Sequence, residues 1–391
     1  MNNFIYYSPT EFVFGKNTEY ELGMLIKKYQ GTNILVHYGQ GSVIRSGLLE
    51  KILKILNDSS IKYFTFGGVK PNPVDELVYE GIELCRKENI DFILAVGGGS
   101  VIDSAKAIAA GVKYQGDFWD LFDKKGVIEE ALPMGTILTI PAAGSEGSGN
   151  AVITKINGMY KRGIGSPWLK PKFSILNPEN CYTLTTYQTA CGIADMMAHI
   201  IERYFTNTPQ VAVTDRISEG VLKTIIEQGQ KVIEDRRDYQ SWANLMWSGT
   251  LAHNGICGTG REEDWSSHAL EHELSALYDV PHGAGLAVVI PAWMRYVVDV
   301  SPDRFLMFAQ NVMEVNGAGK TKAETITTGI DELESFFRSI TLPTNFRELG
   351  ADMADIDILV AKLNINSGGL IGRFKQLDMT DARKIYLMSC K

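Results

Sequence analysis

The sequence predicts an α/β domain built on a doubly wound, mostly parallel sheet, followed by an all-helical domain. Three observations predict it. From Asn33 to about Leu176, short β-rich runs alternate with stretches of helical periodicity. The run Phe92-Ile93-Leu94-Ala95-Val96 is apolar without alternation, as a strand covered on both faces requires. From about Thr185 onward, β-branched runs become rare and long helical segments take over. A chain of 391 residues is also too long for one ordinary core. Two domains are expected, over residues 1–182 and 183–391.

In chain order, Ile34-Leu35-Val36-His37-Tyr38 reads as the first strand of the alternating pattern, and about Ser42 to Asn57 as one amphipathic helix. Lys62 to Phe66 reads as a strand, Pro71-Asn72-Pro73 as a stiff turn, and Val74 to Glu88 as a helix. After the Phe92 to Val96 strand, Ile137 to Ile140 is expected as another buried strand. Ala151 to Ile164 is expected as a hairpin turning at Asn157-Gly158, a dipeptide suited to a type I′ turn. Phe173 to Leu176 closes the sheet. Thr185-Thr186 then starts the first helix of the second domain.

Composition narrows the function classes. The chain is 45% hydrophobic and 21% charged, the balance of a folded globular protein rather than a disordered one. A net charge of -8 leaves no basic face for nucleic acid or an anionic membrane, so a small-molecule substrate is expected. No stretch is expected to reach the roughly 18–20 apolar residues of a membrane span. The first residues, Met1 to Tyr7, carry no export signal, and Cys85, Cys181, Cys191, Cys257 and Cys390 form neither a C-x-x-C pair nor a disulfide framework. A cytoplasmic protein with reduced thiols is the expectation.

Two glycine clusters follow predicted strands. Gly97-Gly98-Gly99-Ser100-Val101-Ile102-Asp103-Ser104-Ala105-Lys106 comes directly after Val96, with a helix opening near Ser100. Backbone without side chains and the first N–H groups of a helix together suit a pyrophosphate. The spacing is not G-x-G-x-x-G, and a tight strand-to-helix turn is the alternative reading. Gly39-Gln40-Gly41-Ser42 follows the first strand, where a dinucleotide fold that binds NAD carries an acid for the adenosine ribose. No acid is present. Gly39, Ser42 and Arg45 offer room, a hydroxyl and a cation, which favours NADP(H) over NAD(H); a plain βα turn with a surface arginine is the alternative.

The second domain concentrates histidines. Asp195 and His199 lie four residues apart on one helical face, a pair that alone is more often a surface or capping interaction. Asp264 is placed to cap a helix bearing His268 and His272, His282 follows the Asp279-Val280-Pro281 break, and His253 is close by. One aspartate and three histidines make a nitrogen/oxygen site without thiolate, suited to Fe²⁺ or Zn²⁺. The segments supply more histidines than ligands, and spacing leaves open which histidine stays outside.

On these residues the sequence resembles the iron-containing (group III) alcohol dehydrogenase family, and most of all its NADP-dependent butanol dehydrogenase and aldehyde reductase branch. The resemblance spans nearly the whole chain and includes Thr10-Glu11-Phe12-Val13-Phe14-Gly15-Lys16, Pro71-Asn72-Pro73, the Gly97 to Lys106 segment, Gly144-Ser145-Glu146 and both histidine segments. It implies a dehydroquinate synthase-like architecture: an N-terminal dinucleotide-binding domain, an all-helical C-terminal domain, and a cleft holding metal and substrate. It implies metal ligation by Asp195, His199, His268 and His282, with Fe²⁺ first and Zn²⁺ second, and leaves His272 as the free histidine near nicotinamide and substrate. The cofactor contacts it implies are Gly39, Gly41, Ser42, Asn72, Gly98, Gly99, Ser100, Asp103, Thr139, Ser145 and Lys161. It further implies a homodimer or larger homo-oligomer acting on small alcohols and aldehydes. The chain departs from the family pattern at Ala143, where a threonine is common, and at Gln40, where a glycine is common.

The expected chemistry is hydride transfer to an aldehyde whose oxygen is polarised by a divalent metal, with no protein nucleophile. A lyase of the dehydroquinate synthase type is the main alternative. It needs several cations around an anionic substrate, whereas Trp265, Leu270, Leu274 and Ala276 accompany the histidines here. A non-catalytic metal- or nucleotide-binding protein is the other.

Overall fold

The β-rich runs of the first half pair side by side because the central ones are too apolar to leave either face in water. The computed structural model describes residues 1–391. Its main sheet holds six strands: β1 (Glu11–Phe14), β2 (Asn33–Gly39), β3 (Lys62–Val69), β4 (Phe92–Gly97), β5 (Met134–Leu138) and β8 (Phe173–Leu176). All pairings are parallel, in the order β1-β8-β5-β4-β2-β3. The remaining strands, β6 (Asn150–Lys155) and β7 (Tyr160–Gly165), form a separate antiparallel hairpin.

Helices cover both faces. Ile34 and Val36 of β2 and Phe92, Leu94 and Val96 of β4 point to one side, into a core with α1 (Leu22–Lys28) and α3 (Leu48–Asp58). Their alternates Leu35, His37, Ile93 and Ala95 take the other side, over which α4 (Asp75–Lys87) and α5 (Gly99–Lys113) lie. From β2 the chain steps outward to β3 and returns to β4 on the opposite side of β2, so the carboxyl ends of β2 and β4 mark a topological switch point, where open α/β sheets bind ligands.

Three local expectations are corrected. The helix expected from Ser42 to Asn57 is two, α2 (Ser42–Arg45) and α3, because Gly47 between them takes φ 76°. The strand expected over Ile137 to Ile140 is β5, which ends at Leu138: its partner β4 turns into helix after Gly97 and offers no further ladder. The hairpin turns through four residues, Ile156 to Met159, with positive φ on Gly158 and Met159 rather than on Asn157 and Gly158, so it is not a two-residue type I′ turn.

The contacts divide the chain into two units, Tyr7–Leu184 and a second made of Met1–Tyr6 with Thr185–Lys391. Within the second, the terminal amine donates to the Pro209 carbonyl (2.9 Å) and Asn2 N to the Gly260 carbonyl (2.8 Å), which fastens the first residues there. Its helices include α7 (Thr186–Tyr204), α8 (Ala212–Glu234), α9 (Tyr239–His253), α10 (Ser266–Tyr278) and α11 (His282–Val297), after the short α6 (Trp119–Phe122) of the first unit. Thr185 and Gln188 close a capping box at the start of α7. The helical run His282–Val300 corrects the expectation about membrane-length stretches: its 19 residues, of mean hydropathy 1.3, have the length and composition to span a bilayer. It is a core helix by its packing, with 72% of that stretch buried and α11 set against α7 and α10. All five cysteines are unpaired, four buried and Cys390 half-buried.

Candidate active site

In the first unit the two glycine clusters meet at the switch point. Gly39 ends β2, Gly41 and Ser42 lead into α2, and Gly97 to Ser100 carry β4 into α5, with Val101 N bonded to the Gly98 carbonyl. The glycines differ in what holds them. A Cβ on Gly98 would lie 2.3 Å from Ile140 Cγ2 and one on Gly97 2.5 Å from Val101 Cγ2, so close packing excludes a side chain at both. On Gly99 and Gly39 it would meet only ordinary contacts, at 3.6 Å from Ala143 Cβ and 3.5 Å from the Val69 carbonyl. At those two positions the protein itself leaves the space open. Arg45 is exposed with Nη1 over Gly41, 2.7 Å from where a Cβ would be. Thr139 N bonds to the Gly97 carbonyl (3.1 Å), so the residues after β5 join the same edge.

Asn72 sits in the left-handed region (φ 53°), and its Oδ1 accepts from Lys161 Nζ at 3.1 Å. The hairpin is held there by Thr154 N on the Pro73 carbonyl (2.8 Å) and Ile156 N on Asp75 Oδ1 (3.0 Å). Asp103 and Ser145 bond to each other: Ser145 Oγ donates to Asp103 Oδ1 (2.6 Å), and Asp103 Oδ2 accepts from Val152 N (2.9 Å). Beneath them Lys106, fully buried, donates to the Ser145 carbonyl (2.7 Å), Ser145 Oγ (2.8 Å) and the Asn150 carbonyl (2.8 Å). Burial pulls its ammonium down to about 8, against Asp103 and Glu146, which hold it up. The sequence placed Lys106 in the glycine-rich segment without showing this role. On the opposite strand, buried His37 donates Nδ1–H to the Phe66 carbonyl (2.8 Å), and its Nε2 lies 2.9 Å from Ser104 Oγ. Burial lowers its pKa to about 4.

In the second unit, five of the six histidines gather. Asp195 and His199 lie on one face of α7, His268 and His272 on α10, His282 opens α11, and His253 ends α9. His199 Nε2 stands 3.4 Å and His282 Nε2 3.9 Å from Asp195 Oδ1. One ligand atom each of Asp195, His268 and His282 falls within 4.8 Å of the others, and the His199 and His268 ring centroids are 4.6 Å apart. Ligands on a tetrahedral ion at about 2.0–2.2 Å stand about 3.3–3.6 Å from one another. Asp195, His268 and His282 therefore have the spacing and donor chemistry to hold a single Fe²⁺ or Zn²⁺ after their atoms draw together, with His199 beside Asp195. Neither ring nitrogen of His268 makes a hydrogen bond although the residue is buried, which is the condition of a ligand rather than of a core histidine. Burial, then the neighbouring His253 and His268, hold His199 neutral far below its ordinary range. His272 is half-buried, its ring 5.5 Å from that of His282.

Asp264 does not occupy the cap position of α10, as expected; Trp265 does, at φ 68°. Asp264 reaches past it to Ser266 N (3.1 Å) and to the amides of Arg373 (2.6 Å) and Phe374 (2.7 Å). A bulky residue at positive φ is strained and needs fixing from outside. Arg203 lies 4.5 Å over the indole, whose N–H donates to Glu263 (2.8 Å). Arg203 also donates to the His199 carbonyl (2.6 Å) and meets His253 Nδ1 (3.1 Å).

Two buried acids behind the histidines were missed by sequence reasoning. Glu202 Oε1 accepts from Ser267 N (2.5 Å) and His268 N (3.1 Å), and its Oε2 lies 3.3 Å from His268 Nδ1. Glu271 accepts from His282 Nδ1 and from Ser275 Oγ. The one signal for Glu202 was its place three residues after His199, on the Asp195 face of α7; Glu271 had none, since a glutamate beside a histidine on a helix is ordinarily solvated.

Residues 9–178 match the family described as iron-containing alcohol dehydrogenase, and residues 189–390 match the C-terminal part of the Fe-containing alcohol dehydrogenase family. The chain is similar to the probable NADH-dependent butanol dehydrogenase 2 of Bacillus subtilis, 42% identical over 98% of this chain and 99% of the relative. It is also similar to the NADPH-dependent aldehyde reductase YqhD of Escherichia coli, 35% identical over 99% of each. Among solved structures, the NADH-dependent butanol dehydrogenase A of Thermotoga maritima superposes with a TM-score of 0.96 at 40% identity, over 100% of this chain and 99% of the other.

Proposed function

Because this chain belongs to the iron-containing alcohol dehydrogenase family, and is with it an NAD(P)-dependent oxidoreductase, we propose that it interconverts small primary alcohols and aldehydes, with butanal-sized substrates and NADP(H) favoured. The observation that carries this reading is the convergence of Asp195, His268 and His282 on one point, with His199 Nε2 3.4 Å from Asp195 and the nitrogens of buried His268 unused by hydrogen bonds. These four residues are proposed to hold one divalent metal, Fe²⁺ or Zn²⁺, which supplies Lewis acidity toward the substrate oxygen when bound. The nicotinamide supplies or accepts the hydride.

The chain's own residues do the rest. Neutral His199 and its neighbours keep their nitrogens available as donors to a cation, and Asp195 contributes the single charge of the donor set. His272, half-buried beside His282, is proposed to exchange the proton that the substrate oxygen gains or loses. At the sheet, Gly39, Gly98, Gly99 and Ser100 are proposed to cradle the pyrophosphate at the α5 N-terminus, with Thr139 beside them and Lys161 held by Asn72 toward the same cofactor. Asp103 and Ser145 are assigned to bracing that turn, since their oxygens bond to each other and Ser145 Oγ also accepts from Lys106.

NADP(H) preference rests on the turn after β2. No acid follows the strand, and Arg45 lies over Gly41 next to Ser42, a cation and a hydroxyl suited to a 2′-phosphate. The NADH-dependent relatives favour the opposite preference, and the NADPH-dependent aldehyde reductase favours this one. A lyase of the dehydroquinate synthase type is disfavoured: full-length relatives are named as dehydrogenases and a reductase, and Arg203, the cation beside the histidines, is engaged with the His199 carbonyl, Glu263 and Trp265. The reading includes reduced thiols in the cytoplasm and a homo-oligomeric working form.

The test is anaerobic reduction of butanal with NADPH and separately NADH, on chelator-stripped protein before and after Fe²⁺ or Zn²⁺ is restored. Metal-dependent oxidation with a higher kcat/KM for NADPH is expected. Equal or better use of NADH overturns the cofactor preference, and no oxidation under any loading overturns the dehydrogenase reading.

A further inference from the structure

Two buried carboxylates face the outer nitrogens of two histidines of the cluster. Glu271 is fully buried on α10 and accepts the Nδ1–H of His282, while its other oxygen is held by Ser275 Oγ. Glu202, fully buried on α7, fixes the first turn of α10 through the Ser267 and His268 amides and turns Oε2 toward His268 Nδ1 at 3.3 Å. His282 thereby keeps its proton on Nδ1 and turns Nε2 toward Asp195, while His268 has the Glu202 carboxylate 3.3 Å from its Nδ1 without a hydrogen bond between them.

Gly285 shows that the protein makes room for this arrangement. It lies one turn into α11, and a Cβ there would stand 2.7 Å from Glu271 Oε1 and 2.8 Å from its Cγ. With any side chain at 285, Glu271 could not reach back to His282. The same carboxylate lies near His272, and Glu271, His272 and His282 by themselves form a group of potential ligand atoms within 4.8 Å. Both Glu271 oxygens are already directed at donors, which favours an orienting role over a second cation.

We infer that Glu271 and Glu202 are positioning residues: Glu271 sets the tautomer and direction of His282, and Glu202 fixes the turn that carries His268 and thus its direction, so that they govern metal affinity without touching metal or substrate. This rests on the metal reading above. Carboxylates behind ligating histidines change metal affinity by roughly 10–100-fold in general. Glu271→Gln, which keeps an acceptor and loses the charge, is expected to weaken binding by about 10-fold, and Glu271→Ala by about 100-fold. Gly285→Ala, which alters no ligand and no acid, is expected to weaken it in the same direction by displacing Glu271.

The experiment measures Co²⁺ and Zn²⁺ affinity of stripped, full-length protein by competition with a chromophoric chelator, together with the visible Co²⁺ absorption bands. Wild type, Glu271→Gln, Gly285→Ala, Glu202→Gln and His268→Ala are compared, and circular dichroism selects folded preparations. Weakened affinity with shifted but retained Co²⁺ bands in the glutamate and glycine variants, and loss of binding in His268→Ala, supports the inference. Wild-type affinity in Glu271→Gln and Gly285→Ala, with binding lost in His268→Ala, overturns the positioning role and leaves the metal site standing. Wild-type affinity in His268→Ala overturns the metal reading itself and the inference with it.

Discussion

Alanine at Gly98 and alanine at Gly99 are adjacent changes with opposite expected effects, and the structure supplies the reason. At Gly98 the new Cβ would lie 2.3 Å from Ile140 Cγ2, about 1.5 Å inside ordinary van der Waals contact, and the methyl it meets sits on a branched, stiff side chain. Overpacking of this kind costs about 1–3 kcal/mol. For a unit the size of Tyr7–Leu184 that is a fall of roughly 2–12 °C in thermal midpoint, at roughly 2–4 °C per kcal/mol. At Gly99 the Cβ would meet only Ala143 Cβ at 3.6 Å, and the position is the first residue of helix α5, at negative φ, where alanine is accommodated without strain. Gly99→Ala is therefore expected to be as stable as wild type or more so, while its methyl occupies the space proposed for the pyrophosphate. Dinucleotide affinity should fall at least about 10-fold, which is about 1.4 kcal/mol. Differential scanning calorimetry of the cofactor-free protein and fluorescence titration with NADPH measure the two effects separately. A Gly99→Ala protein of unchanged stability that binds NADPH like wild type would falsify the phosphate role of this turn. A Gly98→Ala protein with an unchanged midpoint refutes the packing argument.

Acid stability should report His37. Its folded-state value, about 4, lies below its ordinary 6.5, so between the two the unfolded chain holds the extra proton; the neutral ring stabilises fully above about pH 6.5 and the contribution, about 3 kcal/mol, drains away as pH falls toward 4. His37→Gln should flatten that limb in thermal midpoints taken from pH 4 to 7, and an identical acid limb in the variant refutes the assignment. His272→Ala is expected to lower kcat by about 100-fold with metal content unchanged. Metal analysis beside steady-state kinetics decides it, and an unaltered kcat ends the proton-exchange role. Asp103→Ala removes the acceptor of Ser145 Oγ and Val152 N and the anion beside Lys106, so it should destabilise by about 2–4 kcal/mol. NADPH affinity of the remaining folded protein should change little, and a large loss of affinity at wild-type stability reverses the bracing assignment.

What the sequence determined by itself were the properties carried by local patterns. Phe92 to Val96 had to be a doubly covered strand because five apolar residues in a row leave no face for water, and the structure buries all of them. The Asp195–His199 pair was legible as a shared helical face, and Thr185-Thr186 as the start of that helix, where the structure places a capping box between Thr185 and Gln188. The fold class followed from the alternation of such segments, and the family resemblance rested on the same glycine and histidine motifs.

Tertiary structure decided everything that depends on which segments meet. Glu202 and Glu271 look like ordinary helical glutamates in one dimension, and only the packing of α7, α10 and α11 buries them behind His268 and His282. Gly98 and Gly99 are indistinguishable in sequence, yet Ile140 crowds one and leaves the other open. Asp264 read as a helix cap, but the loop at Arg373 and Phe374 competes for its carboxylate and leaves Trp265 at the cap. Local patterns set a residue's conformation through its own neighbours in the chain; burial, and with it the strength of every charge and hydrogen bond, is set by neighbours on other elements that only the fold brings together.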